Sequence, residues 1–476
     1  MANPGHPAIR STEPLTGRLA AILCRPVGKE ERSRAVRHVR DWSACSALGA
    51  RSEAGLALAR YAERQPRGDC IALGAGRRTA EAAAFMNGGL GNIYEMDDVH
   101  RMAVIHPGDS VLPAALAAAE REGCDGKALL DAIVRGYEAA IRIGTAAGSG
   151  HYRYWYNTAT CGVFGAAAAV ASILNLDAAR TAQALANAGM QFAGVWQCRM
   201  EPSFGKQLAT AHAARSGLVS ADLAAVGFTG PLSVLEGSHG FLAATGADGS
   251  PEAVGGEPDA PWKIWETSFK PWPSCRVTHP VIEAAMRARA AIDPSAIAGI
   301  EIATFQQAVD LCDQPAPKTP HEGRFSLQHC AAIALLAGVP ELIHFEPRWL
   351  DDPRVVALRA KVAVRARADM TRAFPASQGV SLKVDMGSGV PLVIDLPAAK
   401  GDPENPMTED ELAAKARTLF AAAAVGEKDM ERLLAAIAAL EDDGAVADFA
   451  AALESAVAPT PFHHTSEARA HATLLG

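Results

Sequence analysis

Residues 95–109 read Glu-Met-Asp-Asp-Val-His-Arg-Met-Ala-Val-Ile-His-Pro-Gly-Asp, the densest run of proton-handling side chains in the sequence. An imidazole with an ordinary pKa of about 6.5 carries either protonation state near neutrality, so His106 is a candidate general acid or base. The Pro107-Gly108 that follows predicts a fixed loop, because a residue before proline is biased to extended geometry and glycine permits a tight turn. Asp97 and Asp98 are candidates to orient that imidazole, and His100 is a second imidazole beside them. The plain alternative is a helix end whose charges face water.

Three further segments carry candidate chemistry. In His151-Tyr-Arg153-Tyr-Trp-Tyr156-Asn-Thr158, Arg153 offers a carboxylate clamp and Tyr156 a phenol donor, and Thr158 stands where a helix N-terminus would welcome an anion. Lys206 follows a Pro-Ser-Phe-Gly turn. Lys270-Pro-Trp-Pro-Ser-Cys275-Arg276-Val-Thr-His279 gathers two cations, a thiol and an imidazole at an expected domain junction, where clefts tend to form. Their bland readings are an aromatic core, a solvated lysine and a proline-stiffened linker. No metal site is expected, since neither His-Glu-x-x-His nor a His-Asp doublet with a matching distant histidine occurs. Gly88-Gly89-Leu-Gly91 follows a helical stretch rather than a strand, so it lacks the context of a dinucleotide cradle.

The elements that must position these groups are mostly helical. A chain of 476 residues exceeds one small core, and 49% hydrophobic with 21% charged residues fits a globular protein. Lys127 to Gly144 carries an apolar stripe at three-to-four spacing, and Gly162 to Leu174 is apolar all round, as a buried central helix would be. Asp177 should cap the next helix, and Thr408 with Glu411 forms a capping box. Past Lys270 the period changes: Ile300 to Phe305 and Lys361 to Arg365 alternate as strands, and Val380 to Met386 with Val390 to Ile394 form a hairpin across Gly387-Ser388-Gly389. The expected architecture is mainly α: a large helical domain from 12–268 and 403–476, and a smaller inserted α+β lid domain, 269–402.

The net charge of −8 and the lack of a Lys/Arg run argue against nucleic acid, while a small anionic substrate is still compatible with a locally cationic pocket. The alanine-rich runs are interrupted before they reach membrane-span length. Nine scattered cysteines without a Cys-x-x-Cys pair, and a start without signal-peptide character, lead to the expectation of a cytoplasmic location.

Taken in order, these segments resemble the MmgE/PrpD family of 2-methylcitrate dehydratases, cis-aconitate decarboxylases and iminodisuccinate epimerases. The resemblance rests on Asp97-Asp98-x-His100 with His106-Pro107-Gly108, Gly136-Tyr-Glu, Thr158-Ala-Thr160 with Gly162-x-x-Gly165, Lys206, Lys270-Pro-x-Pro, Phe325-Ser-Leu and Gly401-Asp-Pro-x-Asn-Pro, and it covers nearly the whole chain. It implies a site between a helical domain and a lid, a homodimer, and action on a small di- or tricarboxylate without metal or organic cofactor. By the same resemblance His106 matches the motif histidine, Lys206 and Lys270 the cleft lysines, and Asp97 and Asp98 the acidic pair. Tyr156 and Cys275 stand where decarboxylases of the family carry histidines, and His329 where a tyrosine is common.

Taking a proton from carbon beside a carboxylate requires a base, with cations aimed at the developing charge. The expectation is therefore a cofactor-independent lyase in which His106 moves the proton and Asp97 or Asp98 orients it. Tyr156 stands opposite as acid, and Lys206 and Lys270, with Arg153 or Arg276, bind the substrate. His100, Cys275 and His279 complete the binding set. If Tyr156 also served as a base, nearby lysines would have to lower its pKa from about 10. Dehydration is the first reading, epimerisation or decarboxylation the alternative, and a non-catalytic helical binding protein the reading from another class.

Overall fold

The computed structural model describes residues 13–458, apart from Pro202 and Asp443. The expected domain limits at residue 12 and over 459–476 lie outside the described residues. The fold is mainly α-helical with a small α+β part.

Helix Gly162–Ile173 is buried along its length except at Ser172, as its all-apolar composition requires. It packs against helices Gly108–Glu122, Gly126–Tyr152 and Gly205–Ala225. Small residues set those distances: a Cβ on Gly165 would lie 2.7 Å from the Gly136 carbonyl, and one on Gly217 would lie 2.3 Å from the Ala166 Cβ. Helix Gly126–Tyr152 begins on an Asp125 cap and breaks at Gly148, whose φ of 71° only glycine adopts readily. Asp177 caps helix Ala178–Gly189, and Thr408 with Glu411 forms the capping box of helix Glu409–Ala422.

One hydrophobic core joins buried residues between Leu15 and Ile264 to Leu419, Phe420, Leu433, Phe449 and Leu453 of the three last helices. A second core, between Trp272 and Leu396, lies under a four-stranded sheet. The strands run in the order Val362–Ala366, Gly299–Thr304, Val380–Asp385, Leu392–Leu396, with the first pair parallel and the others antiparallel. Helices His279–Arg289 and Leu327–Leu336 contribute their buried faces to this core.

Two departures from the sequence reading bear on the site. Residues 12 to 265 were expected to be helical nearly throughout, with no strand of useful length, yet Val99–His100 pairs antiparallel with Thr267–Ser268, and Cys70–Ala72 with Gly76–Arg78. Two or three residues are too few to show a period. The first of these pairs draws the chain before Lys270 onto the acidic loop. Second, Pro107-Gly108 does not make a tight turn: Pro107 is already αR and Gly108 opens helix Gly108–Glu122. The missing Cβ of Gly108 serves close approach, since it would sit 3.0 Å from Asp98 Oδ1 and 3.1 Å from the Tyr137 hydroxyl. Among the described residues no helix is long and apolar enough to cross a membrane.

Candidate active site

The loop between helices Ala80–Gly88 and Gly108–Glu122 delivers Glu95 in a left-handed conformation, φ 56°. A non-glycine residue holds such geometry only where its surroundings impose it. Here the carboxylate lies between two ammonium groups: Oε1 accepts from Lys206 Nζ and Oε2 accepts from Lys270 Nζ at 3.0 Å. Lys270 Nζ also donates to Asp97 Oδ1 at 3.1 Å and is wholly buried. Lys206 comes from the first turn of helix Gly205–Ala225, and Lys270 from the segment just after the short strand Thr267–Ser268.

Burial alone would raise the Glu95 pKa, but the charges of Lys206 and Lys270 outweigh it and bring it down to about 2. Asp97 is held well below the carboxylate range, the charges of His106 and Lys270 overcoming its burial. Burial would discharge both lysines, and the carboxylates more than reverse this, so both pKa values are raised. A carboxyl whose folded pKa lies below its unfolded value stabilises the fold above that unfolded value, and the contribution disappears as pH falls through the folded one. Asp41 and Glu120 act in the opposite sense, since burial raises them to about 6 and about 7 and they weaken the fold as pH climbs toward those values. Below about pH 4.5 the paired carboxylates therefore govern. The urea midpoint should fall steeply between about pH 4 and about pH 2, and a midpoint that is flat over that range would contradict the pairing.

His106 is half-buried and fixed at three points. Its backbone N–H donates to Thr158 Oγ1 at 3.1 Å, its Nδ1–H donates to the Asp98 carbonyl at 2.8 Å, and Asp97 Oδ2 lies 2.7 Å from Nδ1. The N–H is directed at the carbonyl, so Asp97 acts chiefly as a neighbouring charge. Proton exchange with a ligand consequently falls to Nε2.

Asp98 orients His106 through its backbone, whereas the expectation was a carboxylate contact. Its side chain faces the other way: Oδ2 accepts from His38 Nδ1 at 2.6 Å and from the Tyr137 hydroxyl at 2.5 Å, and Oδ1 accepts from Gly108 N at 3.2 Å. Burial holds the His38 pKa down at about 4 against the pull of Asp98, so His38 is a neutral donor. Thr158 is buried and occupied with His106, and so does not present an anion site.

The Tyr156 hydroxyl accepts from Asn92 Nδ2 at 3.0 Å, and Gln207 in turn donates to Asn92 Oδ1 at 3.3 Å. The ring packs 4.6 Å from that of Trp196, and Lys206 Nζ stands 5.7 Å from the ring centroid, over its face. Burial, together with the negative charge of Asp97 and Glu95, pushes the phenol well above its usual pKa. The lysines do not lower it, so Tyr156 is a neutral donor and not a base. Cys275, half-buried, has its thiol pKa lowered by a hydrogen bond from Cys312 against the effect of burial, and it feels the charges of Glu95 and Lys270.

Four residues expected to bind substrate are engaged elsewhere. His100 receives Ala103 N–H on Nδ1 at 3.1 Å and faces Glu266 with Nε2 at 3.2 Å. Arg153 is exposed, its guanidinium 5.2 Å from the Tyr154 ring centroid. Arg276 pairs with Asp402, and His279 places Nε2 3.2 Å from the Ser274 carbonyl oxygen. His329, singled out as a departure from the family pattern, lies buried against the His344 carbonyl oxygen at 2.9 Å.

The sequence reading left out Glu95, Asn92 and Asp109 as site residues. Asp109 is 1% exposed, and neither of its carboxylate oxygens has a hydrogen-bond partner among the described residues. Burial and the neighbouring Asp97 raise its pKa well above the usual range, which keeps it neutral. Gly91 makes room for it, since a Cβ there would lie 2.0 Å from Asp109 Oδ1. A carboxylate 111 and 175 residues from the two lysines it bridges gives no sequence signal of that role. Among the described residues no group of three or more His, Cys, Asp or Glu is arranged to hold a metal ion.

A protein from Aspergillus oryzae, cis-aconitate decarboxylase-like protein oryM, is 27% identical over 86% of this chain and 90% of its own length. Cis-aconitate decarboxylase from Homo sapiens is 29% identical over 61% of this chain and 63% of its own, and that from Mus musculus is 26% identical over 76% and 75%. The MmgE/PrpD N-terminal domain model matches residues 18–253 and the C-terminal domain model residues 272–442. With both domain models matched in order along the chain, this protein belongs to the MmgE/PrpD family.

Proposed function

We propose that this protein is a lyase that moves a proton at the carbon alpha to a carboxylate of a small di- or tricarboxylate, and that its reaction is dehydration of a hydroxy acid. The observation that carries the reading is the setting of His106: Nδ1 is fixed by the Asp98 carbonyl and Asp97, Nε2 is left for chemistry, and two ammonium groups, one buried and one half-buried, are linked to it through Asp97 and Glu95.

In the forward direction His106 takes the proton from carbon through Nε2. The electron pair left behind spreads onto the carboxylate, where Lys206 and Lys270 oppose the developing charge. It then forms the carbon–carbon double bond as the β-hydroxyl leaves. Tyr156, kept protonated by its surroundings, supplies the proton that turns the departing hydroxyl into water. The imidazolium proton returns the phenol to its starting state by way of solvent, so protons balance.

Decarboxylation is the second reading, favoured by the Aspergillus oryzae relative named cis-aconitate decarboxylase-like, which aligns over most of both chains. The same imidazole would then begin protonated and deliver its proton to the carbon that loses carbon dioxide. Proton NMR in heavy water separates these readings. Incubation with hydroxy di- and tricarboxylates should produce new vinyl signals from water loss, while cis-aconitate, which has no hydroxyl to lose, probes the second reading. Loss of carbon dioxide with deuterium on the adjacent carbon would select the second reading, deuterium exchange with inversion would select an epimerase, and no change in any compound would sink the lyase reading.

A further inference from the structure

We propose that Arg324 is a substrate-binding residue of the site just described, receiving a carboxylate distant from the one that Lys206 and Lys270 oppose. This rests on the reading of the site as one for small polycarboxylates. Both lysines already carry protein carboxylates, so a ligand with two or three negative charges needs a cation that the protein itself does not neutralise.

Among the described residues six arginines are buried: Arg34, Arg78, Arg142, Arg276, Arg324 and Arg359. Arg34 and Arg78 donate to backbone carbonyls, Arg142 pairs with Glu138, Arg276 pairs with Asp402, and Arg359 meets His329 Nδ1. Of these six only Arg324 has a guanidinium that makes neither a hydrogen bond nor an ion pair, and its Nε is fully enclosed without a partner. A buried charge is ordinarily paired, because desolvation is costly unless a counter-charge or hydrogen bonds offset it.

The side chain is nonetheless held. Its guanidinium carbon lies 5.1 Å from the ring centroid of Tyr94, the residue before Glu95, and 5.9 Å from that of Phe345. Its backbone carbonyl accepts from Cys275 N at 2.9 Å, which joins it to the Lys270 segment. The Thr319–Glu322 capping box fixes the short helix Pro320–Arg324 that carries it. The charged and titratable groups it feels are Tyr94, Glu346 and Glu95, the last being the carboxylate that holds both lysines. A planar guanidinium stacked on an aromatic ring, with its fork unspent, is suited to bidentate capture of a carboxylate.

The test uses two unreactive anions, propane-1,2,3-tricarboxylate and the dicarboxylate glutarate, titrated calorimetrically into the full-length protein and into Arg324→Gln and Arg324→Lys. The wild type should bind the tricarboxylate about 10- to 100-fold more tightly than the dicarboxylate. Arg324→Gln should lose that preference, and Arg324→Lys should keep part of it. Because the guanidinium is unpaired without ligand, Arg324→Gln should melt at the wild-type temperature or above it, whereas an arginine holding the fold together would lower it on removal. A wild-type preference that Arg324→Gln retains in full would overturn the assignment and leave the polycarboxylate reading standing. A wild type that binds neither anion would overturn both.

Discussion

Replacing His106 with alanine should lower kcat/KM on the true substrate by about 10²- to 10⁴-fold, the contribution of a positioned general acid or base. The loss should appear in kcat more than in KM, since a group that acts only on the transferring proton stabilises the transition state more than the bound substrate. Stability should change little. The side chain is only half-buried, and the backbone bond from His106 N to Thr158 survives the substitution. The measurement is steady-state kinetics on protein shown to be folded by its thermal transition, and turnover within threefold of wild type would remove His106 from the mechanism.

Lys270→Met is expected to be costly in another way. The ammonium is 0% exposed and lies within 3.1 Å of both Glu95 and Asp97, so removing it strands two buried carboxylates with less positive charge than they require. Breaking a buried ion pair by deleting one partner typically costs about 3–5 kcal/mol. The deficit should be full near neutral pH and should shrink in acid, because the stranded carboxyls take up protons at higher pH in the variant than in the wild type. Urea unfolding of both proteins at about pH 7 and about pH 4 measures this. An equal deficit at the two values would mean that packing, and not charge, accounts for the loss. Activity should vanish in either case, since Lys270 is one of the two cations opposing the developing charge.

Much of the fold is legible in the sequence because it follows from periodic burial. The apolar run at Gly162 to Leu174, the caps at Asp177 and Thr408 and the alternation at Ile300 to Phe305 each state a local preference that the tertiary structure satisfies. The site is legible only where residue type carries the signal. His106, Asp97, Lys206, Lys270 and Tyr156 do meet in one network. What sequence reasoning could not reach is direction. Adjacent Asp97 and Asp98 point to opposite sides, one toward Lys270 and the other toward His38 and Tyr137. Glu95 takes its bridging role from a left-handed backbone that no period predicts. Arg276 and His279 sit in the right segment, yet each meets a nearer partner first.

Lys415, in helix Glu409–Ala422, donates to the Met96 carbonyl at 2.5 Å and pairs with Asp41, which fastens the acidic loop to a segment 319 residues downstream. Closing so long an excursion adds little to the equilibrium cost, because that cost grows only logarithmically with length, but such distant contacts are slow to find. The loop that aims Glu95 and Asp97 is thus completed only once that distant helix has been added, and a polypeptide stopped short of it would keep its histidine and both other lysines yet lack the brace that sets their geometry.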